Sequence, residues 1–486
     1  MVKCKSILIM LSYEDVEKNL SWIRRVFRLY KYKKDESMEY HVLEEKLPVK
    51  PAGEMVLGLE TMRELMGLLD NPQDKVPVIH IAGTNGKGSV ATFLQAVLRQ
   101  AGYKVGLFTS PSLTAFNERI QIDGHPVSYE ALLDAVDRLN QATVGEDVSF
   151  TEFELFTALA YDSFVHESCD VAIMEVGLGG RLDATNVVDA PELTIITRIG
   201  FDHQAILGES LAEITAEKAA IMKRGVPVVV YPQADRPVVR EVIRAKAHEM
   251  DADVIEVAAE ACCYEQNATG GYVHYQDRSY RLGLTGEHQA YNAGVAIEAI
   301  KQLQKQGWQM TEAALQNGLA QAQLPGRYET IQGKSVTFVM DGGHNQDGLH
   351  VLSQNLTTDY SHCAGKMCAI VGMLADKVTA EVKQALYDVL SHFDHIITVT
   401  PHSDRGLPAA ELACLLEAMA WEQPVTIAAV DAEDGSVSYD KAVTQAIQFT
   451  AESEQPGVIC AFGSFYMVGQ MRKVVLDRLV EGDKHG

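Results

Sequence analysis

The fold is decided by the stretch Val78-Ile-His-Ile-Ala-Gly-Thr-Asn-Gly-Lys-Gly-Ser89, which is followed by a helical run over residues 90–99. It predicts a buried β-strand, a glycine-rich turn and a helix. Glycines let the backbone approach a phosphate closely, and the free N–H groups at the start of a helix attract an anion. Lys87 adds a positive charge at the same point. The stretch therefore predicts a nucleotide phosphate site, although it departs from the common GxxxxGK[ST] loop because Gly88 separates Lys87 from Ser89.

Strand-length apolar runs alternate with helical stretches along the chain, which predicts an α/β fold with a mostly parallel, buried sheet. A Pro-Gly pair within Leu324-Pro-Gly-Arg327 follows a helical segment and divides the runs into two sets. We therefore expect two α/β domains, residues 1–325 and 326–486, joined by a short hinge. The expected strands are 78–82, 105–108, 171–176, 193–198, 226–231, 336–341, 368–372, 396–400, 425–429 and 458–462.

The composition disfavours several classes of partner. The 486 residues carry a formal net charge of −24, which repels nucleic acid and anionic membranes. A phosphate site is still compatible with that charge, because it depends on local N–H groups, lysine and metal. The eight cysteines lack zinc-ribbon or redox spacing, so we expect reduced thiols in a cytoplasmic protein. The apolar run near Met10 is too short for an export signal, and residues 1–9 are interpreted as an appendage before a start at Met10.

Acidic side chains follow several of the predicted strands. Glu175 lies at the end of the third strand, before a glycine-rich stretch, and Asp202 and His203 follow the next strand. The carboxyl ends of parallel strands form the ligand-binding edge of an open α/β sheet. A carboxylate there suits Mg²⁺, although spacing alone is equally compatible with a structural cap. In the second domain Asp341, followed by two glycines and His344, repeats the pattern.

Two other patterns narrow the chemistry. Neither domain opens with GxGxxG after its first strand, which argues against a dehydrogenase. Lys218 lies in a helical stretch, and its local sequence indicates an ordinary helix lysine.

From about Tyr13 to the C-terminus, the ordered motifs resemble the folylpolyglutamate synthase/dihydrofolate synthase family, relatives of the Mur ligases. The loop Gly83-Thr-Asn-Gly-Lys-Gly-Ser89 is similar to that family's variant P-loop. The resemblance implies a P-loop-type Mur ligase domain that binds ATP and pterin, and a smaller C-terminal Rossmann-like α/β domain that completes the nucleotide site. The other similar stretches are 58–60, 109–111, 117–120, 151–154, 175–186, 202–204, 217–219, 288–289 with Asn292, 325–327 and 341–345.

The resemblance also implies roles for individual residues. The ATP site would consist of Asn85, Gly86, Lys87, Gly88, Ser89, Asn292, Arg327, Asp341 and His344. Magnesium, at two sites, would be bound by Ser110, Glu175 and His203. The pterin-bearing substrate would contact Thr151, Glu152, Phe153, Glu154, Leu182, Asp183 and Ala184. Lys218 would be carbamylated and, with Lys87 and His344, catalytic, while Arg405 resembles an arginine of the second domain.

The activity implied by the resemblance is that of an ATP-dependent carboxylate–amine ligase. The substrate carboxylate would attack the γ-phosphorus of ATP to give an acyl phosphate and ADP, and the amine of L-glutamate would then displace phosphate. Dihydropteroate and tetrahydrofolate polyglutamates are the expected acceptors, so one enzyme would be both a dihydrofolate synthase and a folylpolyglutamate synthase. We expect it to be a cytoplasmic monomer.

Two alternatives remain open on the sequence. A Mur-type ligase that adds an amino acid to a UDP-linked cell-wall precursor would share the fold and chemistry, although residues 151–154 and 183–186 favour the folate side. A non-catalytic nucleotide-binding protein is disfavoured because Lys87, Glu175 and His203 are all present. The sequence also departs from the family pattern at Ser112, where histidine is common, and in residues 30–56, which are longer and more charged than usual.

Overall fold

The computed structural model describes residues 58–484, except 147, 149, 268–269, 420–423 and 429–437. The interpretations of residues 1–9 and 30–56 fall outside this range. Among the described helices, none has both the length and the apolar character needed to cross a membrane. The described cysteines form no disulfide.

The N-terminal lobe, residues 58–321, contains an eight-stranded sheet in the order β4-β3-β2-β5-β1-β6-β7-β8. Its strands are β1 Val78–Ala82, β2 Val105–Phe108, β3 Ile120–Ile122, β4 His125–Pro126, β5 Val171–Glu175, β6 Leu193–Ile196, β7 Val228–Val230 and β8 Val254–Glu256. Its helices are α1 Glu60–Leu68, α2 Lys87–Gln100, α3 Tyr129–Ala142, α4 Glu152–His166, α5 Gln204–Leu207, α6 Leu211–Ala219, α7 Pro237–Glu249, α8 Glu287–Lys305 and α9 Glu312–Gln321. The strands from β2 to β8 in the sheet order are parallel, and β3 and β4 form an antiparallel edge.

The central strand β1 is buried along its whole length, as its continuous apolar run predicts. Its side chains alternate between the two faces of the sheet. Ile79 and Ile81 pack with helices α2, α8 and α9, whereas Val78 packs with α1, α3 and α4. This double cover fixes the position of the turn that follows β1.

A three-stranded antiparallel sheet in the order β11-β10-β9 packs against α8. Its strands are β9 Cys262–Asn267, β10 Gly270–Tyr275 and β11 Arg278–Leu282. At Gly294 of α8 a Cβ would lie 2.7 Å from the sulfur of Cys262, so only glycine allows this close approach. The small sheet thereby supports α8, which contacts the start of α2 through Gln289 and Ser89.

The C-terminal lobe, residues 329–484, contains a six-stranded mixed sheet in the order β12-β13-β17-β14-β15-β16, in which only β12 runs antiparallel to its neighbour. Its strands are β12 Glu329–Gln332, β13 Val336–Asp341, β14 Met367–Val371, β15 His395–Thr398, β16 Val425–Ile427 and β17 Gly457–Phe462. Its helices are α10 Gln346–Tyr360, α11 Ala380–Leu390, α12 Ala409–Ala418, α13 Tyr439–Thr450 and α14 Phe465–Lys484. Helices α10 to α12 cover one face, and α13 and α14 cover the other.

The predicted α/β class with a mostly parallel sheet is confirmed. All ten predicted strands are present, with ends that differ by no more than two residues where they are described. The strands that the sequence analysis missed are β3, β4, β8, β9, β10, β11 and β12.

Candidate active site

The turn after β1 forms the phosphate cradle that its glycines predict. Gly83 and Gly86 have φ values of 154° and 90°, in the region that favours glycine. A Cβ on Gly83 would lie 1.9 Å from the hydroxyl oxygen of Thr197. Helix α2 begins at Lys87, directly after Gly86, so its free N–H groups face the cleft. The Nζ of Lys87 donates to the carbonyl oxygens of Gly83 and Thr84 at 3.2 and 3.4 Å.

Glu175 lies beside this turn at the carboxyl end of β5, the strand adjacent to β1. Its carboxylate is 3.9 Å from the Nζ of Lys87 and accepts a hydrogen bond of 3.4 Å from the backbone N–H of Ser110. Burial raises the pKa of Glu175, while the charges of Lys87 and Arg327 oppose that shift. A buried carboxylate that accepts no other described hydrogen bond is available to a cation.

Lys218 of α6 is not the ordinary helix lysine that its local sequence indicates. It is 4% exposed, and its Nζ donates to the carbonyl oxygen of Gly83 at 3.0 Å. Burial, followed by the nearby charge of Lys87, lowers the pKa of Lys218 to about 7. Helical periodicity could not reveal this, because the burial depends on how α6 packs behind the phosphate turn.

His203 lies at the junction of the two lobes. Lys377 of the C-terminal lobe donates to the Nε2 of His203 at 3.3 Å and forms a 2.5 Å ion pair with Asp202. Burial lowers the pKa of His203 to about 4, so the imidazole is neutral at pH 7. Burial alone would raise the pKa of Asp202, but nearby positive charge holds that pKa below its ordinary value. Because His203 is neutral at pH 7, Lys377 is the cation that supplies this charge at neutral pH.

Arg327 and Asp341 lie where the C-terminal lobe begins. Asp341 accepts hydrogen bonds from the backbone N–H groups of Tyr328 and Gly343 at 2.8 and 2.7 Å. The Arg327 guanidinium carbon lies 3.9 Å from the centroid of the Phe465 ring.

His344 presents one ring nitrogen to the cleft. Its Nδ1 is 2.8 Å from the carbonyl oxygen of Gly342, and because a carbonyl only accepts, Nδ1 carries the proton. Burial lowers the pKa of His344, so the neutral ring retains an acceptor at Nε2. The next residue, Asn345, exchanges side-chain amide hydrogen bonds with Asn85 across the lobes, at 3.1 and 3.4 Å.

Helix α8 supplies the far side of the phosphate turn. Gln289 donates to the hydroxyl of Ser89 at 3.2 Å and accepts from Asn292 at 3.0 Å. The side-chain oxygen of Asn292 is buried without a hydrogen-bond partner in the described structure. A Cβ on Gly86 would lie 2.5 Å from that oxygen, so the turn and α8 fit only through a glycine.

Two cavities meet at this point. One, of about 370 Å³, lies between the phosphate turn, α8 and the C-terminal lobe and is called the nucleotide cavity. The other, of about 610 Å³, lies on the opposite side of Lys87 and Glu175 and is called the substrate cavity. Their shared wall consists of Thr84, Asn85, Lys87, Glu175, Arg327, His344 and Asn345.

Most of the residues expected from the sequence line these cavities. Asn85, Gly86, Lys87, Gly88, Ser89, Asn292, Arg327, Asp341 and His344 line the nucleotide cavity. Ser110, Thr151, Glu152, Phe153, Glu154, Glu175, Leu182, Asp183, Ala184, His203 and Arg405 line the substrate cavity. Lys218 lines neither cavity, and its Nζ is hydrogen-bonded to the backbone of the phosphate turn at Gly83. Ser112 is buried away from both cavities, so its departure from the family pattern does not alter either wall.

Three of the expected substrate residues, Thr151, Glu154 and Asp183, are engaged in local structure. Glu154 forms a capping box with Thr151, in which each side chain accepts from the other's backbone N–H. Asp183 accepts from the N–H groups of Leu178 and Thr185 and from the Thr185 hydroxyl. Both carboxylates therefore shape the substrate cavity by fixing its loops.

The apolar part of the substrate cavity surrounds Phe153. Its ring lies 5.7 Å from that of Phe108, and a Cβ on Gly177 would lie 2.4 Å from the ring. With Leu182 and Ala184, it gives a flat aromatic ligand an apolar surface beside the charged wall.

The residues present fit a magnesium ion. Within the described range no three His, Cys, Asp or Glu side chains are grouped around one metal position. Magnesium does not require such a group, because it keeps several waters and takes phosphate oxygens as ligands. Glu175, next to Ser110 and the phosphate turn, suits that kind of site.

The structure adds site residues that the sequence analysis missed. Lys377 and Ser464 follow the ends of β14 and β17, neighbouring strands of the C-terminal sheet, and both line the substrate cavity. The hydroxyl of Ser464 is buried with no hydrogen-bond partner among the described residues. Their positions after strand ends were the available signal. Asn345 and Gln289 lay inside motifs that the sequence analysis quoted for other residues.

Comparison with known proteins agrees with this geometry. Residues 81–300 match the Mur ligase middle domain, and residues 326–465 match the Mur ligase glutamate ligase domain. A dihydrofolate synthase/folylpolyglutamate synthase from Bacillus subtilis is 36% identical over 367 residues, which are 72% of this chain and 81% of the relative. A folylpolyglutamate synthase from Lacticaseibacillus casei is 35% identical over 410 residues, 79% and 92% of the two chains.

Solved structures are similar over nearly the whole of their length. A Mycobacterium tuberculosis folylpolyglutamate synthase complexed with ADP has a TM-score of 0.77 at 29% identity, covering 90% of this chain and 99% of that one. Escherichia coli FolC in complex with DHPP and ADP has a TM-score of 0.75 at 28% identity, covering 91% and 98%. The chain belongs to the folylpolyglutamate synthase/dihydrofolate synthase family of the Mur ligase superfamily, and it is an ATP-dependent ligase.

Proposed function

We propose that this ligase joins L-glutamate to the carboxylate of dihydropteroate and of tetrahydrofolate polyglutamates, so that one active site is both a dihydrofolate synthase and a folylpolyglutamate synthase. The observation that carries the proposal is the shared wall. Lys87, Glu175 and Arg327 line both cavities, so a triphosphate in one and a carboxylate in the other meet at the same charged groups.

The chemistry follows from that meeting point. The substrate carboxylate attacks the γ-phosphorus of ATP, a phosphorus–oxygen bond breaks, and ADP leaves. The amine of glutamate then attacks the acyl phosphate carbon and expels inorganic phosphate, with loss of one proton from nitrogen. Both steps collect negative charge on the phosphoryl group, which Lys87 and Arg327 stabilise from the shared wall.

Glu175, Ser110 and His203 would hold magnesium, which would supply further positive charge to the phosphoryl oxygens. His203 has a neutral imidazole for this role, and its Nε2 contacts Lys377 in the present arrangement. Ligation through Nε2 therefore requires Lys377 to turn away from His203.

The folate assignment rests on the substrate cavity. Its apolar part around Phe153, Leu182 and Ala184 suits a pterin ring and its aromatic linker. The relatives are folate enzymes by name, and one solved relative contains DHPP. A UDP-linked cell-wall acid remains the alternative substrate, because it would use the same acyl phosphate chemistry.

The incoming glutamate fits the C-terminal wall of the substrate cavity. Lys377 and Arg405 are two cations there for its two carboxylates, and they are now ion-paired with Asp202 and Asp376. Ser464 offers a hydroxyl that has no partner among the described residues. His344 lines the same cavity with an unprotonated Nε2, which makes it our candidate for the base that takes the amine proton.

Two of the roles depend on chemistry beyond the static geometry. Carbamylation of Lys218 requires a neutral amine, and its lowered pKa provides one near pH 7. Closure at 324–327, the boundary between residues 1–325 and 326–486, would exclude water from the acyl phosphate. We also propose that the enzyme acts as a cytoplasmic monomer.

The experiment is an ATP- and magnesium-dependent assay of labelled glutamate incorporation. Dihydropteroate, tetrahydrofolate and a UDP-linked acid are compared as acceptors, with Lys87→Ala beside the wild type. We expect the first two acceptors to be extended, and Lys87→Ala to lower the rate by about 10²–10³. Extension of the UDP-linked acid alone would move the assignment to the Mur alternative.

A further inference from the structure

The Arg327 side chain is held in an unusual way for an arginine in a polar site. Its guanidinium carbon is 3.9 Å from the centroid of the Phe465 ring. Among the described residues the guanidinium has no hydrogen-bond acceptor and no ion-pair partner. The stack on Phe465 is therefore the direct contact that fixes it.

The two carboxylates whose charges act on Arg327, Asp341 and Glu175, accept their described hydrogen bonds from backbone N–H groups. Asp341 accepts from Tyr328 and Gly343, and Glu175 accepts from Ser110. Both still act on Arg327 through their charge. Because the Arg327 guanidinium donates to neither carboxylate, all five of its N–H donors remain available to a ligand.

The Phe465 ring is itself firmly seated. The residue is 8% exposed and begins α14, directly after the end of β17. A Cβ on Gly342 would lie 2.3 Å from the ring, and the N–H of Gly342 donates to the carbonyl oxygen of Gly326 at 2.9 Å. The ring thus lies between the backbone of Gly342 and the guanidinium of Arg327.

We infer that Phe465 is a positioning residue, whose ring face orients Arg327 in the wall between the two cavities. A guanidinium stacked on a ring keeps its donors free at its edge, and the ring attracts its charge without consuming a hydrogen bond. Arg327 is then preorganised for the oxygens of the phosphoryl group during transfer. This inference rests on the proposed function only for the identity of that group.

A double-mutant cycle on Phe465 and Arg327 tests it. Phe465→Leu removes the ring but keeps apolar bulk, and it should lower kcat/KM for ATP about tenfold. Phe465→Tyr keeps the ring face and should stay within about twofold of the wild type. In an Arg327→Ala background, Phe465→Leu should cause no further loss.

Two measurements separate positioning from packing. Phe462→Leu is the matched control, because the Phe462 ring stacks on Phe393 in the core at 6.3 Å. Phe462→Leu should change kcat/KM by the same factor in the wild-type and Arg327→Ala backgrounds. Calorimetric titration with a non-hydrolysable ATP analogue repeats the cycle without any acceptor substrate. If Phe465→Leu is too unstable to purify, Phe465→Met, which also lacks a ring, should give the same coupling.

Equal losses from Phe465→Leu in the wild-type and Arg327→Ala backgrounds would overturn the inference. Failure of the wild type to extend any folate acceptor would overturn the proposed function instead. In that case the binding cycle still decides the role of Phe465.

Discussion

The Nζ of Lys218 lies 3.0 Å from the carbonyl oxygen of Gly83, inside the phosphate turn, although only 4% of Lys218 is exposed. No carboxylate among the described residues forms an ion pair with it. Lys87 donates to the same carbonyl oxygen, so two cations share one acceptor. Such an arrangement costs folding stability and persists at functional sites.

Replacing Lys218 by methionine should therefore stabilise the fold and abolish activity. The pKa of Lys218 is lowered from 10.5 to about 7, so the folded state binds fewer protons between these values than the unfolded state does. The wild type consequently gains stability as pH rises from about 7 towards 10.5, and the advantage of Lys218→Met fades over the same range. Urea unfolding below and above pH 7 measures this, and the gain in stability should be on the order of a few kcal/mol at neutral pH. Lys473→Met, at an exposed site of α14, should show no such pH dependence.

Carbamylation of Lys218 gives a separate prediction. Carbon dioxide reacts with the neutral amine, so incorporation of labelled bicarbonate, followed by NMR, should rise as pH increases through about 7. Activity should fall when carbon dioxide is removed and return when bicarbonate is added. Lys218→Arg should be inactive under both conditions because arginine stays charged. A wild-type enzyme indifferent to carbon dioxide would argue against the modification.

The phosphate turn could be predicted from the sequence, whereas the burial of Lys218 could not, because sequence patterns report only local structure. Apolar runs and glycines act locally, so β1 and the turn at Gly83 could be predicted from their own residues. The burial of Lys218 is set by packing between distant segments, and only the family resemblance pointed to it. The missed strands, such as β9 and β12, are half exposed and partly polar, so they lack the continuous apolar runs of the central strands.

The same limit applies to the C-terminal lobe. Asp341 and His344 were predicted because glycines mark their turn. Lys377 has no distinctive neighbours, and Ser464 has only the single Gly463 before it. Both reach the cavity because β14 and β17 are adjacent in the sheet. Strand order is a property of the whole lobe, which local patterns do not encode.

A buried histidine next to the substrate cavity should make the fold sensitive to acid. His80 of β1 contacts the hydroxyl of Thr185 at 2.9 Å, and that hydroxyl donates to Asp183 at 2.5 Å. The imidazole then donates from Nε2, and its buried Nδ1 has no hydrogen-bond partner among the described residues. Burial lowers the pKa of His80 to about 3. Stability present above the unfolded pKa of 6.5 is lost as pH falls from 6.5 towards about 3.

We expect His80→Leu to take up about one proton fewer on unfolding in that acidic range, which lowers the slope of stability against pH. Urea unfolding at several pH values measures the slope. The exposed His125→Leu variant serves as the control and should leave the slope unchanged. An identical slope in His80→Leu and the wild type would show that His80 titrates normally.

The contact between the lobes should govern turnover. Arg236 of the N-terminal lobe forms hydrogen-bonded ion pairs with Asp347 of α10, at 2.7 and 3.0 Å, beside the nucleotide cavity. Arg236→Ala should lower kcat about tenfold, because closure over the acyl phosphate becomes less favourable. Small-angle scattering with an ATP analogue should show a more open average shape.

Exchanging the charges provides the internal check. Arg236→Asp combined with Asp347→Arg should recover part of the loss that either single change causes. Arg244→Ala, which removes an ion pair with Glu256 inside the N-terminal lobe, should leave kcat unchanged. If the exchanged pair were no better than the single variants, the contact would not act as a closing device.

The central claim is that the substrate carboxylate is activated by phosphorylation at the wall shared by the two cavities. Its most direct test uses dihydropteroate whose carboxylate carries a heavy-oxygen label, with ATP, magnesium and glutamate. We predict that one labelled oxygen appears in the inorganic phosphate for each amide bond formed. Release of unlabelled phosphate during amide formation would contradict an acyl phosphate, and with it activation of the carboxylate at the shared wall.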